Sequence, residues 1–580
     1  RTKTIAPPVE SFPVARSESV RLVELRILDG PNLYFTKPAV KVTIAVPGWV
    51  EATEDRAATA AEEAGHAFRP GAPGSEQRLR FVARLAAHLT RELAHESGTR
   101  LAVRARPGPE REQVVVAFPW RRRGAAEALG AEVVELVRAA LSSRRDLSRA
   151  IAQSAHRLEA VEPGEAPVVP EPDIPVIAVT GTNGKTTTVR LLAHIARTAG
   201  LTVAYSSTDG VYVNDRLVEP GDYSGFGGAA RALGQKGVQL AVLETARGGI
   251  LLRGIGTLHN DVAVVTNVSA DHLHLQGIRT LDQLAEVKAA ITHITRREGW
   301  DVLNADDPRV LSMRRGARGR PWLFSLDPDH PALRSALDEG GRGTTAIDGA
   351  MTVLTPDGHS RSLVALEDVP LTLAGISSHN IQNAMGAASA ALGAGLPEEA
   401  VVAGLRSFVL DEETNPGRAN LYELDGRVVV VDYAHNEAGL RGMLEICRGL
   451  VTPGGEVWLA FCAAGDRTDD ILHGLGYTAA RGADHVVISE LFEYLRGRDR
   501  QDLVDRLRAG AIDGGSKEVP VFDDEMEALE RMLVASREGD VVGVTALGKR
   551  AEIFGWLHDR GASRARPERV RELVRRSRGG

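Results

Sequence analysis

The 580-residue chain has few cysteines, few lysines and no long apolar segment. Its two cysteines, Cys447 and Cys462, exclude a disulfide framework and a cysteine-rich metal site. No apolar run reaches the roughly 18 residues that a membrane helix needs, and no signal-peptide pattern opens the chain, so we expect a cytoplasmic protein without a membrane partner. Acidic residues outnumber basic ones by 77 to 70, which argues against general nucleic-acid binding.

Of all residues, 43% are hydrophobic and 25% are charged, which is the composition of a folded protein. The length allows about three or four domains. Residues 161–175 are rich in proline and acidic residues, and this composition predicts an extended linker. Residues 1–160 combine short strand patterns with two long helical patterns, so we expect a small α+β domain there.

Downstream of the linker, apolar strands alternate with helical stretches. Continuous Val/Ile runs indicate strands that are buried on both faces of a parallel sheet. The alternation restarts near Pro416, which predicts one α/β domain over residues 176–410 and a smaller one over residues 411–580. The strongly basic end of the chain favours a solvated helix or a frayed end over a nucleic-acid contact.

A glycine-rich loop directly follows the strand VIAVT (176–180) and precedes a helical pattern, the context of a phosphate-binding loop. Its amides would cradle phosphate oxygens, Lys185 would reach the β and γ phosphates, and Thr186 would ligate Mg²⁺. Val179 replaces the usual first glycine, and a plain glycine-rich turn is the alternative. The predicted loop comprises Gly181, Thr182, Asn183, Gly184, Lys185, Thr186 and Thr187.

The sequence GTNGKTT resembles the phosphate loop of Mur-type amide ligases, and other motifs resemble their cyanophycin synthetase branch. These motifs are ETARGGILLRG (244–254), VTNVSADHL (265–273), LNADD (303–307), SSHNIQNA (377–384), NPGRANLYE (415–423), DYAHN (432–436), GDRTDD (465–470) and LRGR (495–498). LRILDGPNLYF and the helix around His88 resemble the N-terminal domain of that branch. The resemblance implies an α/β protein: a small α+β domain, a Mur-ligase-type P-loop central domain and a Rossmann-like C-terminal domain.

The chain departs from the branch in two places. Relatives carry an ATP-grasp module, which extends a polyaspartate backbone, where this chain has only the proline-rich linker at 161–175. Some relatives carry an HxxEH zinc motif on the helix that here reads Arg84-Leu85-Ala86-Ala87-His88. A single histidine on such a helix is more often packed than metal-binding, so no zinc site is expected.

The resemblance implies that ATP phosphorylates an acceptor carboxylate and that an amine then attacks the acyl phosphate. Lys185, Glu244, His272, Lys288 and Arg418 would be the catalytic residues, and Thr186, Glu244, His272 and Lys288 would surround Mg²⁺. The spacing of Lys288 after DHL (271–273) resembles that of the lysine that many Mur ligases carbamylate, a modification that would turn a cation into a metal ligand. A helix cap for Glu244, a structural role for His272 and a surface position for Lys288 are the alternatives.

The resemblance assigns further residues to nucleotide and substrate. Asn304, His379 and Asn383 would frame the adenine, Arg418 would reach the γ-phosphate, and Asp432 would hold the ribose, with Pro416-Gly417 as a hinge for closure. An arginine can bind an amino acid's carboxylate with two hydrogen bonds, whereas surface salt bridges are the alternative reading. The candidate substrate-binding residues are Arg247, His435, Asp466, Arg467, Arg496 and Arg498.

We therefore expect an ATP- and Mg²⁺-dependent amide ligase that adds an amino acid, with arginine as the candidate, to a carboxylate of an aspartate-containing or other peptide acceptor. A Mur-type ligase with a small-molecule or specialised-metabolite acceptor is the second hypothesis. A non-catalytic ATP-binding scaffold is the third. The resemblance also implies a homo-oligomer.

Overall fold

The computed structural model describes residues 19–65, 69–142, 146–271, 273 and 275–579. By internal contacts the chain divides into two compact units. The first comprises the described parts of Arg1–Leu28 and Pro38–Pro167, and the second those of Asp29–Lys37 and Val168–Gly580. The short segment Asp29–Lys37 thus lies between two strands of the first unit in sequence but belongs to the second unit.

The first unit is an antiparallel sheet packed against helices, as predicted for an α+β domain. The sheet order is β1-β2-β4-β3. Its elements are β1 (Arg21–Leu28), β2 (Ala39–Ala45), α1 (Glu54–Glu63), α2 (Glu76–Glu96), β3 (Arg104–Pro107), β4 (Gln113–Pro119), α3 (Arg123–Ala140) and α4 (Leu147–Glu159). Helix α2 begins where the Ser75 side chain accepts a hydrogen bond from the amide of Arg78, and its apolar side contributes Phe81 and Leu85 to the core. On the same helix, His88 Nε2 lies 2.8 Å from the carbonyl oxygen of Ala64.

The second unit contains a large sheet whose central strands are parallel. The strand order is β15-β14-β13-β12-β11-β10-β5-β9-β6-β7-β8. The strands are β5 (Val176–Thr180), β6 (Val203–Ser207), β7 (Gly210–Val213), β8 (Arg216–Pro220), β9 (Leu240–Glu244), β10 (Asn260–Val265), β11 (Thr295–Asn304), β12 (Arg320–Ser325), β13 (Arg342–Ile347), β14 (Ala350–Leu354) and β15 (Ser360–Ala365). Strand β5 is buried along its whole length, which explains its continuous apolar sequence.

Helices cover this sheet. They are α5 (Lys185–Thr198), α6 (Phe226–Leu233), α7 (Arg247–Leu252), α8 (Leu281–Ala289), α9 (Pro308–Ser312), α10 (Pro331–Asp338), α11 (Ser378–Gly393) and α12 (Glu398–Ser407). Short 3₁₀ turns lie at Thr292–Ile294, Met313–Arg315, Leu366–Asp368 and Pro370–Thr372. Because β5, β9 and β10 are parallel neighbours, their carboxyl ends meet at one edge, where Thr180 and Glu244 emerge.

A smaller, mostly parallel sheet follows in the order β20-β19-β18-β21-β17-β16-β22. Its elements are β16 (Asn420–Leu424), β17 (Arg427–Asp432), α13 (Glu437–Leu450), β18 (Val457–Phe461), α14 (Asp469–Gly482), β19 (His485–Ser489), a 3₁₀ turn (Phe492–Tyr494), α15 (Arg500–Asp513), β20 (Val521–Phe522), α16 (Glu525–Ala535), β21 (Val541–Thr545), α17 (Arg550–Asp559), β22 (Ser563–Arg564) and α18 (Pro567–Ser577). The three sheets confirm the predicted order of a small α+β domain and two α/β domains.

The basic end of the chain differs from the expected solvated helix. Helix α18 buries Val570, Leu573 and Val574 in the core of the smaller sheet domain, while Arg575 and Arg576 are exposed. Apolar residues spaced three and four apart form one buried stripe, which the high arginine content obscures in the sequence. Across the described ranges, no helix is both long and apolar enough to cross a membrane.

Candidate active site

The loop between β5 and α5, which we call the phosphate loop (residues 181–187), has a backbone that requires glycine. Gly184 caps α5 with φ of +83°, in the left-handed region. A Cβ atom at this position would lie 2.1 Å from Asn383 Oδ1. The loop therefore presents amides at a helix N-terminus, which is the arrangement that binds phosphate.

Neighbouring strands anchor the phosphate loop from behind. The Asn183 amide donates to Asn267 Oδ1 at 2.9 Å, and Thr266 Oγ1 donates to the Asn183 carbonyl at 2.6 Å. Lys185 Nζ folds back onto the Thr182 carbonyl at 2.8 Å. The side chains that follow β10 thus hold the backbone of the loop through hydrogen bonds.

Thr186 and Glu244 form the polar centre beside this loop. Thr186 Oγ1 donates to Glu244 Oε2 at 2.8 Å, and Glu244 Oε1 is buried with no hydrogen-bond partner among the residues that the structure describes. Burial is the largest influence on Glu244 and raises its pKa above the ordinary value, against the opposing effects of Lys185 and Thr186. A buried carboxylate oxygen with an unused lone pair beside a threonine hydroxyl fits a Mg²⁺ ion.

Lys288 lies on the buried side of α8 and not on the surface. Its Nζ donates to the Gly181 carbonyl at 2.6 Å, and its side chain is only 3% exposed. Burial, followed by the nearby charge of Lys185, holds the pKa of Lys288 well below its usual value. An amine that is neutral at moderate pH can act as a nucleophile, whereas an ordinary surface lysine is almost entirely protonated.

The expected metal ligand His272 lies outside the described residues. Within the described ranges, no group of three or more His, Cys, Asp or Glu side chains is arranged to hold a metal ion. Of the four residues expected around Mg²⁺, the structure describes Thr186, Glu244 and Lys288. Among these three, only Glu244 is a His, Cys, Asp or Glu residue. These three side chains all line one cavity.

The smaller sheet domain contributes charged groups to the same centre. Arg418 Nη2 lies 3.3 Å from Thr186 Oγ1, and the Arg418 guanidinium lies over the Tyr433 ring at 5.5 Å. Asp432 accepts a hydrogen bond from the Ala419 amide at 2.7 Å. Burial raises the pKa of Asp432 to about 6 despite this hydrogen bond and the nearby charge of Arg418.

Asp271 joins the two domains on the other side of the centre. Its Oδ1 lies 2.9 Å from Arg467 Nη2, and its Oδ2 lies 3.4 Å from His435 Nε2. Arg247, which faces the same region, donates to the Leu275 carbonyl at 3.2 Å. Burial is the largest cause that lowers the pKa of Arg247, and the charge of Arg467 acts in the same direction. The predicted Arg247, His435 and Arg467 thus lie together, around an aspartate that sequence reasoning missed.

A cavity of about 890 Å³ collects most of the expected residues. Its lining includes the whole phosphate loop and Glu244, Arg247, Lys288, His379, Arg418, Asp432, His435, Arg467 and Arg496. Burial lowers the pKa of His379 to about 4, so its ring is neutral at pH 7. Lining residues that the sequence did not indicate include Thr208, Asp209, Asp222, Ser224, Asp271, Tyr433, Tyr494, Arg550 and Glu552.

Two residues expected at the adenine lie behind the cavity wall. Asn304 Nδ2 donates to the Thr266 carbonyl at 2.8 Å, and its Oδ1 accepts from the Asp306 amide at 3.0 Å. Asn383 donates to Asn380 Oδ1 and packs against the phosphate loop. Both side chains support the loop from behind, since their hydrogen bonds are directed into the fold.

Two expected substrate residues also lie off the cavity wall. Asp466 is ion-paired with Arg496, which does line the cavity. Arg498 Nη1 lies 2.9 Å from Asp469 and 2.5 Å from Asp502, while its other nitrogens donate to backbone carbonyls. Arg498 therefore organises the loop before α15, and its guanidinium is already occupied.

Two family models match this part of the chain. Residues 179–391 match the Mur ligase middle domain, and residues 417–548 match the Mur ligase glutamate ligase domain. The two matched ranges meet around the cavity, because they contain the phosphate loop and Arg418 respectively.

Curated proteins with similar sequences include ligases of two kinds. Cyanophycin synthetase from Synechocystis is 39% identical over 64% of this chain, but the chain spans only 42% of that protein. UDP-N-acetylmuramyl-tripeptide synthetase from Deinococcus radiodurans is 29% identical over 65% of the chain and 74% of its own length. Among solved structures, E. coli FolC in complex with DHPP and ADP has a TM-score of 0.50 and 21% identity, covering 67% of this chain and 90% of that one. This last similarity is one of fold.

Proposed function

The chain contains the middle and C-terminal domains of the Mur ligases, and from this premise we propose that it is an ATP- and Mg²⁺-dependent ligase that joins an amino acid to a carboxylate. The observation that carries the proposal is the Thr186–Glu244 pair beside the phosphate loop, with Arg418 approaching from the other domain. Phosphate-binding amides, an unpaired buried oxygen and a guanidinium converge there within one cavity.

The reaction follows from the chemistry of carboxylates, which are poor electrophiles until activated. Transfer of the γ-phosphoryl group of ATP to a carboxylate oxygen of the acceptor releases ADP and forms an acyl phosphate. The neutral amine of the amino acid then attacks the acyl carbon, the C–O bond to phosphate breaks, and the nitrogen loses a proton. The products are an amide, ADP and phosphate.

In this scheme the residues of the cavity bind the substrates and neutralise charge, and none of them forms a covalent bond to a substrate. The phosphate-loop amides and Lys185 bind the β and γ phosphates, and Arg418 neutralises charge that spreads over the transferring group. Thr186, Glu244 and Lys288 would hold Mg²⁺, together with His272. Bound there, Mg²⁺ would supply positive charge that offsets the negative charge of the phosphates.

We also propose that Lys288 is carbamylated. A carbamate forms when a neutral amine attacks CO₂ and loses a proton, and the depressed pKa of Lys288 favours the neutral form. The product is an anionic oxygen ligand in a site whose other basic neighbours, Lys185 and Arg247, would offset its charge.

The proposed substrates are arginine and an acceptor that carries an aspartyl carboxylate. The similarity to cyanophycin synthetases supports this choice, although this chain spans less than half of those proteins. The similarity to muramyl-tripeptide synthetase favours a second candidate acceptor, a UDP-linked muramyl peptide. A non-catalytic scaffold is disfavoured because Lys185, Glu244 and Lys288 are all present in one cavity. The homo-oligomeric state stays a prediction.

Phosphate release from ATP and Mg²⁺ across the common amino acids tests the proposal, with aspartyl peptides and a UDP-muramyl peptide as acceptors. We expect turnover that needs both arginine and an aspartyl peptide, and loss of turnover in Lys185→Ala. Turnover only with the muramyl peptide would move the enzyme to the second candidate. Nucleotide binding without turnover on any acceptor would contradict the proposed arginine ligase.

A further inference from the structure

Asp209 is a cavity residue outside the expected active site. It follows β6, and its side chain is 16% exposed. Arg190 Nη2 lies 3.1 Å from one carboxylate oxygen and Arg550 Nη2 lies 3.4 Å from the other. Because Arg190 belongs to α5 and Arg550 begins α17, this one carboxylate connects the large-sheet domain to the smaller sheet domain.

The two arginines that bind Asp209 also bind the connection between the domains. Arg190 Nη1 donates to the Thr414 carbonyl at 3.0 Å, and Arg550 Nη1 donates to the Pro416 carbonyl at 3.3 Å. Each guanidinium thus bridges from Asp209 to the backbone of residues 414–418, which we call the linker turn. A single half-buried carboxylate therefore organises two contacts to this turn.

Arg418 is the last residue of the linker turn and the one that reaches the phosphate loop. Its Nη1 donates to the Pro416 carbonyl at 3.2 Å, and its Nη2 lies 3.3 Å from Thr186 Oγ1. The Pro416 carbonyl consequently accepts from both Arg418 and Arg550. The position of the Arg418 guanidinium depends on where this carbonyl is held.

The surroundings of Asp209 favour the ionised form of its carboxyl group. Burial acts to raise the pKa of Asp209, but the charges of Arg418, Arg190 and Arg550 outweigh burial and lower its pKa below the usual value. The carboxyl group is therefore ionised at neutral pH. Removing its charge would leave the guanidinium of Arg190, whose side chain is 5% exposed, without its carboxylate partner.

We propose that Asp209 is a positioning residue that fixes the linker turn and, through it, places the Arg418 guanidinium beside Thr186. Asp209 itself contacts no reacting atom in this role. The inference rests on the proposed function for its kinetic consequence, whereas its structural consequence can be measured without turnover. A variant without the negative charge should bind nucleotide normally and react slowly, because Arg418 is displaced from the position where charge develops.

The test compares Asp209→Asn, which keeps the size and removes the charge, with Asp368→Asn in the full chain. Asp368 is a matched control because it also lies between an arginine of each domain, Arg406 at 3.4 Å and Arg571 at 3.7 Å, but outside the cavity. We expect amide hydrogen exchange in residues 414–420 to rise by about fivefold or more in Asp209→Asn only. The kcat should fall about 10- to 100-fold, with the KM for ATP within about twofold of wild type.

Unchanged exchange together with unchanged kcat in Asp209→Asn would overturn the proposal, as would equal losses in Asp368→Asn. If Asp209→Asn does not fold, Asp209→Glu replaces it in the test, because this variant retains the charge. Its amide hydrogen exchange in the linker turn should stay as slow as in the wild type, and faster exchange there would overturn the proposal. If the wild-type protein forms no amide with any acceptor, the proposed function fails. The exchange comparison then still decides the role of Asp209.

Discussion

Thr186 Oγ1 and Glu244 Oε2 are 2.8 Å apart, and the second oxygen of Glu244 has no hydrogen-bond partner within the described residues although it is buried. Buried carboxylate oxygens are normally satisfied, because an unmatched one costs free energy. The pair is therefore preorganised for a ligand, and five measurable consequences follow from this centre and its surroundings.

Glu244→Gln should abolish the response to Mg²⁺ without weakening the fold. The amide cannot supply the second anionic oxygen, so we expect the amide-forming rate to fall by about 100-fold or more. Burial raises the pKa of Glu244, which means that the ionised carboxylate destabilises the free protein at neutral pH. The thermal midpoint without Mg²⁺ should accordingly not decrease. Thermal shift with and without Mg²⁺ checks this, and a Mg²⁺-dependent increase retained in the variant would argue against the assignment.

Lys288 should make activity depend on dissolved CO₂. Decarbonated buffer should lower the rate, bicarbonate should restore it, and ¹³CO₂ should give a carbamate signal in ¹³C NMR that is absent from Lys288→Met.

The stability of the Lys288 variant follows from its pKa. Between the depressed folded pKa and the ordinary unfolded value, the unfolded chain carries a proton that the folded chain does not, so wild-type stability rises with pH in that window. Lys288→Met should remove this dependence and melt at an equal or higher temperature at pH 7 in decarbonated buffer. A lower midpoint would contradict the neutral, buried amine.

Gly184→Ala should weaken nucleotide binding. The new Cβ would lie 2.1 Å from Asn383 Oδ1, and the backbone would remain in the left-handed region. We expect at least about a tenfold loss of ATP affinity by calorimetry and a stability loss of about 1–3 kcal/mol. Gly200→Ala is the matched control, because Gly200 has φ of +81° and open space around its Cβ direction. That control should lose some stability and keep its affinity for ATP.

Because of Asp432, the free energy of unfolding should fall as the pH rises from about 4 to about 6. Burial raises its folded pKa to about 6, so the folded state retains a proton that the unfolded state has lost. Asp432→Asn should therefore stabilise the protein above pH 6 by about 1–2 kcal/mol, because water in the cavity reduces the full effect, and should change little below pH 4. Chemical unfolding at pH 4 and pH 7.5 measures this difference. Equal effects at both pH values would count against a titrating Asp432.

The sequence predicts those parts of the site that follow from local order. A buried strand, a glycine-rich loop and a helix place the phosphate loop by themselves, and Glu244 ends a strand that is adjacent in the sheet. The spacing of Lys288 after DHL (271–273) suggests a site residue, but its burial and its contact with the Gly181 carbonyl come from the tertiary fold.

The residues that the sequence did not indicate reach the site through long-range contacts. Asp209 and Asp271 lie on loops, and each gains its role only where the second α/β domain brings arginines to it. Two expected site residues, Asn304 and Arg498, do not line the cavity. Asn304 and Arg498 carry suitable side chains, but nearby backbone groups already use their hydrogen-bonding capacity.

The segment Asp29–Lys37 gives the second unit a discontinuous chain. The Asp29 carboxylate pairs with Arg253, the Gly30 amide donates to the Arg253 carbonyl, and the Ile255 amide donates to Pro31. Asp29 and Arg253 are 224 positions apart, so a ribosome makes the first long before its partner. Docking of this segment must therefore wait until residues 253–255 have been made, and a shortened chain beginning at Val168 would leave the backbone groups around Gly254 unmatched.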